Sequence, residues 1–211
     1  MKIEKFYYND IEELFANTYV VVDELNNAVI IDPSVDNDKV ITYLEKNNYK
    51  PIAILLTHGH VDHIRGVDRL VNKFNIPVYI HELDEEKFSN TYLNCSSMLG
   101  SDFIVKSKAT KVYDGDELKL LNNEIIKVIH TPFHTSGSVC YYFINNKYLF
   151  SGDTLFAQSI GRDDLPTGNG RQTRDSLNKL KLLPKETKIY PGHGPNTTLE
   201  IELSLNNFLR N

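Results

Sequence analysis

The first half of the chain alternates short apolar runs with turn-forming residues. β-rich runs over residues 17–23 and 28–31, joined by an Asn-Asn turn, predict a hairpin. Apolar residues at helical spacing predict a helix within residues 36–47. Residues 51–57 are a short apolar run and predict a strand buried on both faces.

A second helix and another strand follow. Between residues 63 and 74, Ile64, Val67, Leu70, Val71 and Phe74 recur at helical intervals and predict one continuous helix. The short run at residues 77–80 then predicts a strand.

The second half contains the same kinds of element. Strands are predicted at residues 117–121, 124–129, 138–144, 147–150 and 188–190, and helices at residues 171–183 and 198–209. Several strands with helices at the ends of each half predict an α/β fold in which two sheets pack together under helices. We expect 211 residues to form one domain with two comparable halves, roughly 1–105 and 106–211.

Composition narrows the class of protein. Hydrophobic residues make up 41% and charged residues 24%, which is typical of globular proteins, and a net charge of −5 argues against nucleic-acid binding. Residues 1–10 are polar and lack the apolar stretch of a signal peptide, and the longest apolar run, residues 52–56, is too short to cross a membrane. With only two cysteines there is no disulfide framework. These features predict a cytoplasmic protein, and they leave its oligomeric state open.

Four potential metal ligands lie within six residues: His58, His60, Asp62 and His63. They follow an apolar strand and begin a predicted helix, and Gly59 permits a tight turn between them. Imidazole and carboxylate together suit zinc and neighbouring divalent metals. We interpret His58 and His60 as converging on one metal, with Asp62 and His63 directed toward a second. The alternative is a solvated polar loop, which is hard to reconcile with three of the seven histidines in one loop.

Further ligands are needed, because a zinc ion takes three or four protein ligands. Candidates follow three other predicted strands: His134, Asp153 and His193. Alone, Asp153 could be a helix cap and His193 an ordinary turn residue. Their joint occurrence, each after a strand, indicates one site at the edge of a sheet.

Two other histidines are assigned differently. His130 lies four residues before His134, but Pro132 between them disfavours a shared helical face, so we expect only one of the two to bind metal. His81 is expected at the surface.

The order and spacing of these residues resemble the metallo-β-lactamase superfamily over nearly the whole chain. The residues that carry the resemblance are His58-x-His60-x-Asp62-His63, His134, Asp153 and His193. It implies a four-layer αββα sandwich, with two packed mixed sheets flanked by helices and two divalent metal ions at one edge. It further implies that His58, His60 and His134 hold the first ion, that Asp62, His63 and His193 hold the second, and that Asp153 bridges both. Zinc is the expected metal, with iron and manganese as alternatives.

Within the superfamily, residues 155–156, 160–166 and 190–194 are similar to the small glyoxalase-II-type hydrolases. The likeness implies cleavage of a small S-acyl thiol such as S-lactoylglutathione, with Asp62 as a catalytic residue that orients the nucleophile. Full-length glyoxalase II enzymes carry a longer C-terminal helical region that grips glutathione, whereas only one predicted helix follows His193 here.

Two residues are predicted to contact the substrate. Arg162 could bind a substrate carboxylate, and the alternative is an ion pair with Asp163 or Asp164. Phe133 stands where the family usually has glycine. Because a bulky residue does not adopt a positive φ cheaply, the turn should differ or the ring should line the pocket.

Two rival functions remain. Persulfide dioxygenases of the same fold use one iron, which His58, His134 and Asp153 could hold here. A non-catalytic metal-binding module is the second rival. The complete second set of ligands favours the hydrolase over both.

Overall fold

The computed structural model describes residues 1–7 and 15–210, and two six-stranded sheets dominate this part of the chain. The first contains β1 (Lys2–Phe6), β2 (Thr18–Val22), β3 (Asn27–Ile31), β4 (Lys50–Leu55), β5 (Val78–His81) and β6 (Ala109–Val112), in that spatial order. Its pairings are antiparallel from β1 to β3 and parallel from β3 to β6, so the sheet is mixed.

The second sheet comes from the following part of the chain. Its strands are β7 (Glu117–Leu118), β8 (Ile126–His130), β9 (Val139–Phe143), β10 (Tyr148–Gly152), β13 (Lys188–Pro191) and β14 (Thr197–Thr198). The spatial order is β14-β13-β10-β9-β8-β7, and only the β10–β13 pairing within it is parallel. A short hairpin of β11 (Leu155–Phe156) and β12 (Ser159–Ile160) follows β10.

Helices cover the outer faces of the two sheets. They are α1 (Lys39–Lys46), α2 (Val61–Ile64), α3 (Val67–Phe74), α4 (Thr173–Lys181) and α5 (Leu199–Leu205), with 3-10 turns at Glu82–Phe88, Ser97–Leu99 and Gly170–Gln172. No helix in the described ranges is long and apolar enough to span a membrane.

Alternation along the strands explains the layering. In β2, Val20 and Val22 pack with the α1 and α3 side chains, while Tyr19 and Val21 pack against the second sheet. A third apolar cluster joins the outer face of the second sheet to α4 and α5. Because successive strand residues face opposite sides, each sheet contacts helices on one face and the other sheet on the other. The predicted αββα sandwich is confirmed.

One predicted helix is broken in two. The helix expected over residues 63–74 ends at Ile64 as α2 and resumes at Val67 as α3. Gly66 lies at the break, where its N–H donates to the Pro33 carbonyl at 2.8 Å. A Cβ at Gly66 would lie 2.7 Å from the Val35 carbonyl oxygen, so the loop after β3 leaves room only for glycine.

The ends of other elements also differ from the prediction. The segment 117–121 contributes only a two-residue strand, and the closing helix ends at Leu205 instead of residue 209. The polar start considered as a signal region contains the edge strand β1 in its first part, and its residues 8–10 lie outside the described ranges.

Candidate metal centre

Three histidines meet where β4 and β8 end. His58 and His60 lie between β4 and α2, and His134 follows β8; all three are buried. The His60 Nδ1 atom lies 3.1 Å from His58 Nε2 and 3.0 Å from His134 Nε2. Three ring nitrogens thus converge on one small space, and we call these residues the first group.

A second group forms beside it from Asp62, His63 and His193. Asp62 and His63 stand in the first turn of α2, and His193 follows β13. The Asp62 Oδ2 atom lies 3.2 Å from His193 Nε2 and 3.7 Å from His63 Nε2.

Asp153 joins the two groups. Its Oδ1 lies 3.4 Å from His63 Nε2, and its Oδ2 lies 3.5 Å from the Nε2 atoms of both His134 and His193. The preceding Gly152 has a φ of +49°, and a Cβ there would overlap the Thr57 side chain. Glycine therefore allows the end of β10 to approach the β4 loop closely enough for one carboxylate to contact both groups.

The two groups differ in charge. Burial is the main reason that the pKa of His58 lies well below its usual range, and repulsion from the neighbouring imidazoles lowers it further. Burial also lowers the pKa of His60. These rings are therefore neutral, which is the form that binds metal. Burial alone would lower the pKa of His63, but the carboxylates of Asp62, Asp32 and Asp153 raise it well above the usual range. The second group is thus a place where positive charge is strongly favoured.

The donor atoms fit divalent cations. His63 Nε2 and Asp153 Oδ1 are buried, and neither has a hydrogen-bond partner in the described part of the chain. Buried polar atoms without partners cost folding free energy, and a cation between them would remove that cost. Imidazole nitrogens with carboxylate oxygens are a donor set that suits zinc and similar ions.

Asp32 is a positioning residue that the sequence did not identify. Its Oδ2 lies 2.9 Å from His63 Nδ1 and accepts a hydrogen bond from Thr57 Oγ1 at 2.6 Å, and its Oδ1 accepts from the Thr57 N–H at 2.8 Å. A carboxylate on Nδ1 keeps the proton there and leaves Nε2 free as a ligand.

Asp84 connects the two loops that carry the first group. On the 3-10 turn Glu82–Phe88, its Oδ2 accepts hydrogen bonds from the Gly59 N–H and Thr135 Oγ1, both at 2.8 Å, and its Oδ1 accepts from the Gly137 N–H at 2.9 Å. Lys87 Nζ lies 3.8 Å from the same carboxylate, and both side chains are fully buried. One buried carboxylate therefore fixes the neighbours of His58 and of His134.

Gly59 lies in the turn between β4 and α2, and its φ is not positive. A Cβ at this position would lie 2.7 Å from Lys87 Cβ and 2.8 Å from Lys87 Cδ. Glycine is needed because the buried lysine passes directly beneath the loop.

Of the two outcomes expected for Phe133, the structure shows the first: its φ is not positive, so the turn has ordinary backbone geometry. The Phe133 ring is fully buried and does not line the cavity, so the structure gives its predicted substrate contact no support. The predicted surface position of His81 is wrong. His81 is only 4% exposed, because its ring stacks on His130 with centroids 4.0 Å apart. His130 joins neither group, since its Nε2 lies 2.8 Å from the Ser136 carbonyl oxygen.

Arg162 adopts the alternative considered for it. Its Nε and Nη2 atoms donate to the two carboxylate oxygens of Asp164 at 2.6 and 2.8 Å, and the side chain is 63% exposed. Its backbone carbonyl lies 2.7 Å from His134 Nδ1 and accepts the proton of that ring. The Arg162 backbone thus positions a member of the first group, while the guanidinium is paired.

A cavity of about 620 Å³ opens beside the two groups. Its size is typical of a small-molecule site. It is lined by His60, Val61, Asp62, Cys95, Met98, Leu99, His134, Asp153, Phe156, Gly161, Arg162, Leu165 and His193.

Known proteins share this sequence and arrangement. Residues 11–193 match the sequence profile of the metallo-beta-lactamase superfamily. The chain is 35% identical over 195 residues to the probable metallo-hydrolase YqgX of Bacillus subtilis, with 92% of each chain covered.

Solved structures of similar proteins have the same fold as this chain. The crystal structure of BLEG-1 B3 metallo-beta-lactamase matches with a TM-score of 0.92 and 38% identity over all of both chains. That of TTHA1623 in a di-iron-bound form matches with a TM-score of 0.82 and 35% identity, covering 92% of this chain and 95% of the other.

Proposed function

Because this chain belongs to the metallo-β-lactamase superfamily, we propose that it is a hydrolase that works with two divalent metal ions. The observation that carries the proposal is the contact of one carboxylate, that of Asp153, with two separate groups of donors. A single-ion protein or a solvated polar loop has no need for that arrangement.

The proposed division of ligands follows the two groups. His58, His60 and His134 would hold one ion, Asp62, His63 and His193 the other, and Asp153 both. Zinc suits these donors, and iron is the main alternative because TTHA1623 has been crystallised in a di-iron-bound form.

When bound there, such ions would lower the pKa of a bound water to about 7 and would polarise a substrate carbonyl. We assign to Asp62 the orientation of the attacking water, since this carboxylate lines the cavity. Burial raises the pKa of Asp62, but His63 and His193 together bring it below its usual range. Asp62 is therefore ionised and able to accept a hydrogen bond from the nucleophile.

We propose an S-acyl thiol as the substrate, with hydrolysis of glyoxalase II type. A thiol has a pKa near 8.5, so a thiolate leaves without an acid catalyst, whereas an amine leaving group must be protonated. No lysine, tyrosine or glutamate of residues 1–7 and 15–210 lines the cavity to supply that proton. This supports a thioester over a lactam.

Lactam opening is the second candidate, because the similar BLEG-1 is described as a B3 metallo-beta-lactamase. The deciding experiment is a panel assay on the metal-loaded protein with S-lactoylglutathione, other acyl thiols, lactones and a chromogenic lactam. We expect measurable thioester cleavage and negligible lactam opening, and the reverse pattern would contradict the proposed substrate class.

Two controls accompany the panel. Asp62→Ala should lose turnover while its metal content is measured in parallel; full turnover with both ions retained would refute the role of Asp62. Oxygen uptake on a persulfide by an iron-loaded sample with one ion per chain would favour the dioxygenase instead.

A further inference from the structure

The cavity beside the metal-ligand candidates has an apolar side. Val61, Met98, Leu99, Phe156 and Leu165 line it from four separate parts of the chain. The Phe156 ring lies edge-on to the His193 ring with centroids 5.9 Å apart, so this apolar surface extends to the second group. A substrate whose carbonyl reaches the two groups must therefore place other atoms against it.

Part of this surface is exposed to solvent. Met98 and Leu99, on the 3-10 turn Ser97–Leu99, are 50% and 56% exposed. Exposed apolar side chains that are continuous with a functional cavity gain free energy when an apolar ligand covers them. We call this apolar surface, formed by Val61, Met98, Leu99, Phe156 and Leu165, the wall of the cavity. The wall favours a hydrophobic group in the substrate.

The cavity offers little attraction to a substrate anion away from the metal-ligand candidates. Apart from the two groups and Asp153, Arg162 is the only charged residue among the described residues that line the cavity. Its guanidinium donates to both carboxylate oxygens of Asp164. A guanidinium in such a two-point pair has its charge compensated and its best-aligned donors occupied.

We infer that this site selects S-acyl thiols that are uncharged and apolar on both sides of the thioester, over glutathione conjugates. The inference rests on the proposed thioester hydrolysis and narrows it to a substrate class. Two independent observations carry it: the apolar wall that reaches the second group, and the pairing of Arg162 with Asp164.

The first test varies the acyl chain. Acetyl, butyryl, hexanoyl and octanoyl thioesters of the neutral thiol N-acetylcysteamine would be compared with the same acyl groups on glutathione. We expect kcat/KM on the neutral thiol to rise about two- to fourfold per methylene until the wall is covered, and to exceed that of the matching glutathione thioester. A flat or falling series, or a preference for the glutathione thioesters, would overturn the inference.

The second test changes the wall. Met98→Ser combined with Leu99→Ser should flatten the dependence on chain length. Leu182→Ser is the matched control, because Leu182 is 86% exposed and does not line this cavity. An unchanged slope in the double variant, or an equal loss in the control, would contradict the assignment of the wall.

The third test removes the carboxylate that pairs with Arg162. Asp164→Asn should raise kcat/KM for glutathione thioesters about two- to fivefold, the range expected from breaking an exposed ion pair, with little effect on neutral thioesters. Arg162→Ala in the same background should abolish that gain, while the backbone carbonyl that accepts from His134 is retained. No gain in Asp164→Asn would show that the pairing does not limit anion binding.

A binding measurement separates this inference from the proposed function. S-alkyl thioethers of N-acetylcysteamine cannot be hydrolysed, and their affinity is measured by calorimetry on the metal-loaded protein. Affinity that rises with chain length, together with no cleavage of any thioester, would refute the hydrolysis and keep the apolar selectivity. Affinity independent of chain length, together with thioester cleavage, would refute only the selectivity.

Discussion

Asp153→Ala is expected to lower kcat/KM for thioester hydrolysis by about 10³-fold or more, because metal-assisted catalysis supplies several kcal/mol of transition-state stabilisation. This carboxylate contacts His63, His134 and His193, so its loss disturbs both donor groups at once. The measurement is steady-state kinetics on the metal-loaded variant, with its metal content determined on the same sample.

Asp175→Ala is the matched control for this substitution. Asp175 is an exposed aspartate in the first turn of α4, away from the cavity. Its replacement should leave kcat/KM within about twofold, since surface substitutions remote from special features change little. A loss of less than tenfold in Asp153→Ala would contradict a bridging role for Asp153.

Asp84→Ala should be among the most destabilising single substitutions in the protein. It leaves the fully buried Lys87 without its carboxylate and removes the acceptor from the N–H groups of Gly59 and Gly137. Removing one partner of a buried ion pair costs about 3–5 kcal/mol. For a chain of this size the midpoint of thermal unfolding should fall by about 6–20 °C.

The comparison for Asp84→Ala is Asp68→Ala. The Asp68 carboxylate also accepts three hydrogen bonds, from the Lys106 N–H and from the N–H and hydroxyl of Ser107, but it is only partly buried. Water can replace Asp68, so we expect a loss of about 1 kcal/mol. Adding Lys87→Met to Asp84→Ala should recover part of the lost stability, because the uncompensated buried charge is gone. Equal losses in Asp84→Ala and Asp68→Ala would refute the role of the buried pair.

Local patterns were sufficient to predict most strands of the two sheets, most helices and the residues that converge, but not the edge strands β1, β6 and β14. Each candidate ligand lies in the loop after a strand or in the helix that follows that loop, as with Asp153 after β10 and His193 after β13. The end of an apolar run predicts the end of a strand. Because neighbouring strands end along the same edge of a sheet, residues that follow them lie close together. The αββα layering follows from the same alternation of apolar residues in β2 and β4.

Contacts between distant parts of the chain could not be predicted in this way. Asp32 meets His63 across 31 positions, and Asp84 meets Gly59 across 25 and Gly137 across 53. Nothing in the local sequence of either aspartate indicates these partners. The break at Gly66 has the same origin, because it depends on the loop after β3.

The most direct test is to count the metal ions bound per chain after reconstitution and removal of excess metal. Elemental analysis of the purified protein should find two zinc ions, or two ions of another divalent metal, and one or fewer after Asp153→Ala. One ion or none in the unaltered chain would contradict the paired site on which the proposed hydrolysis depends.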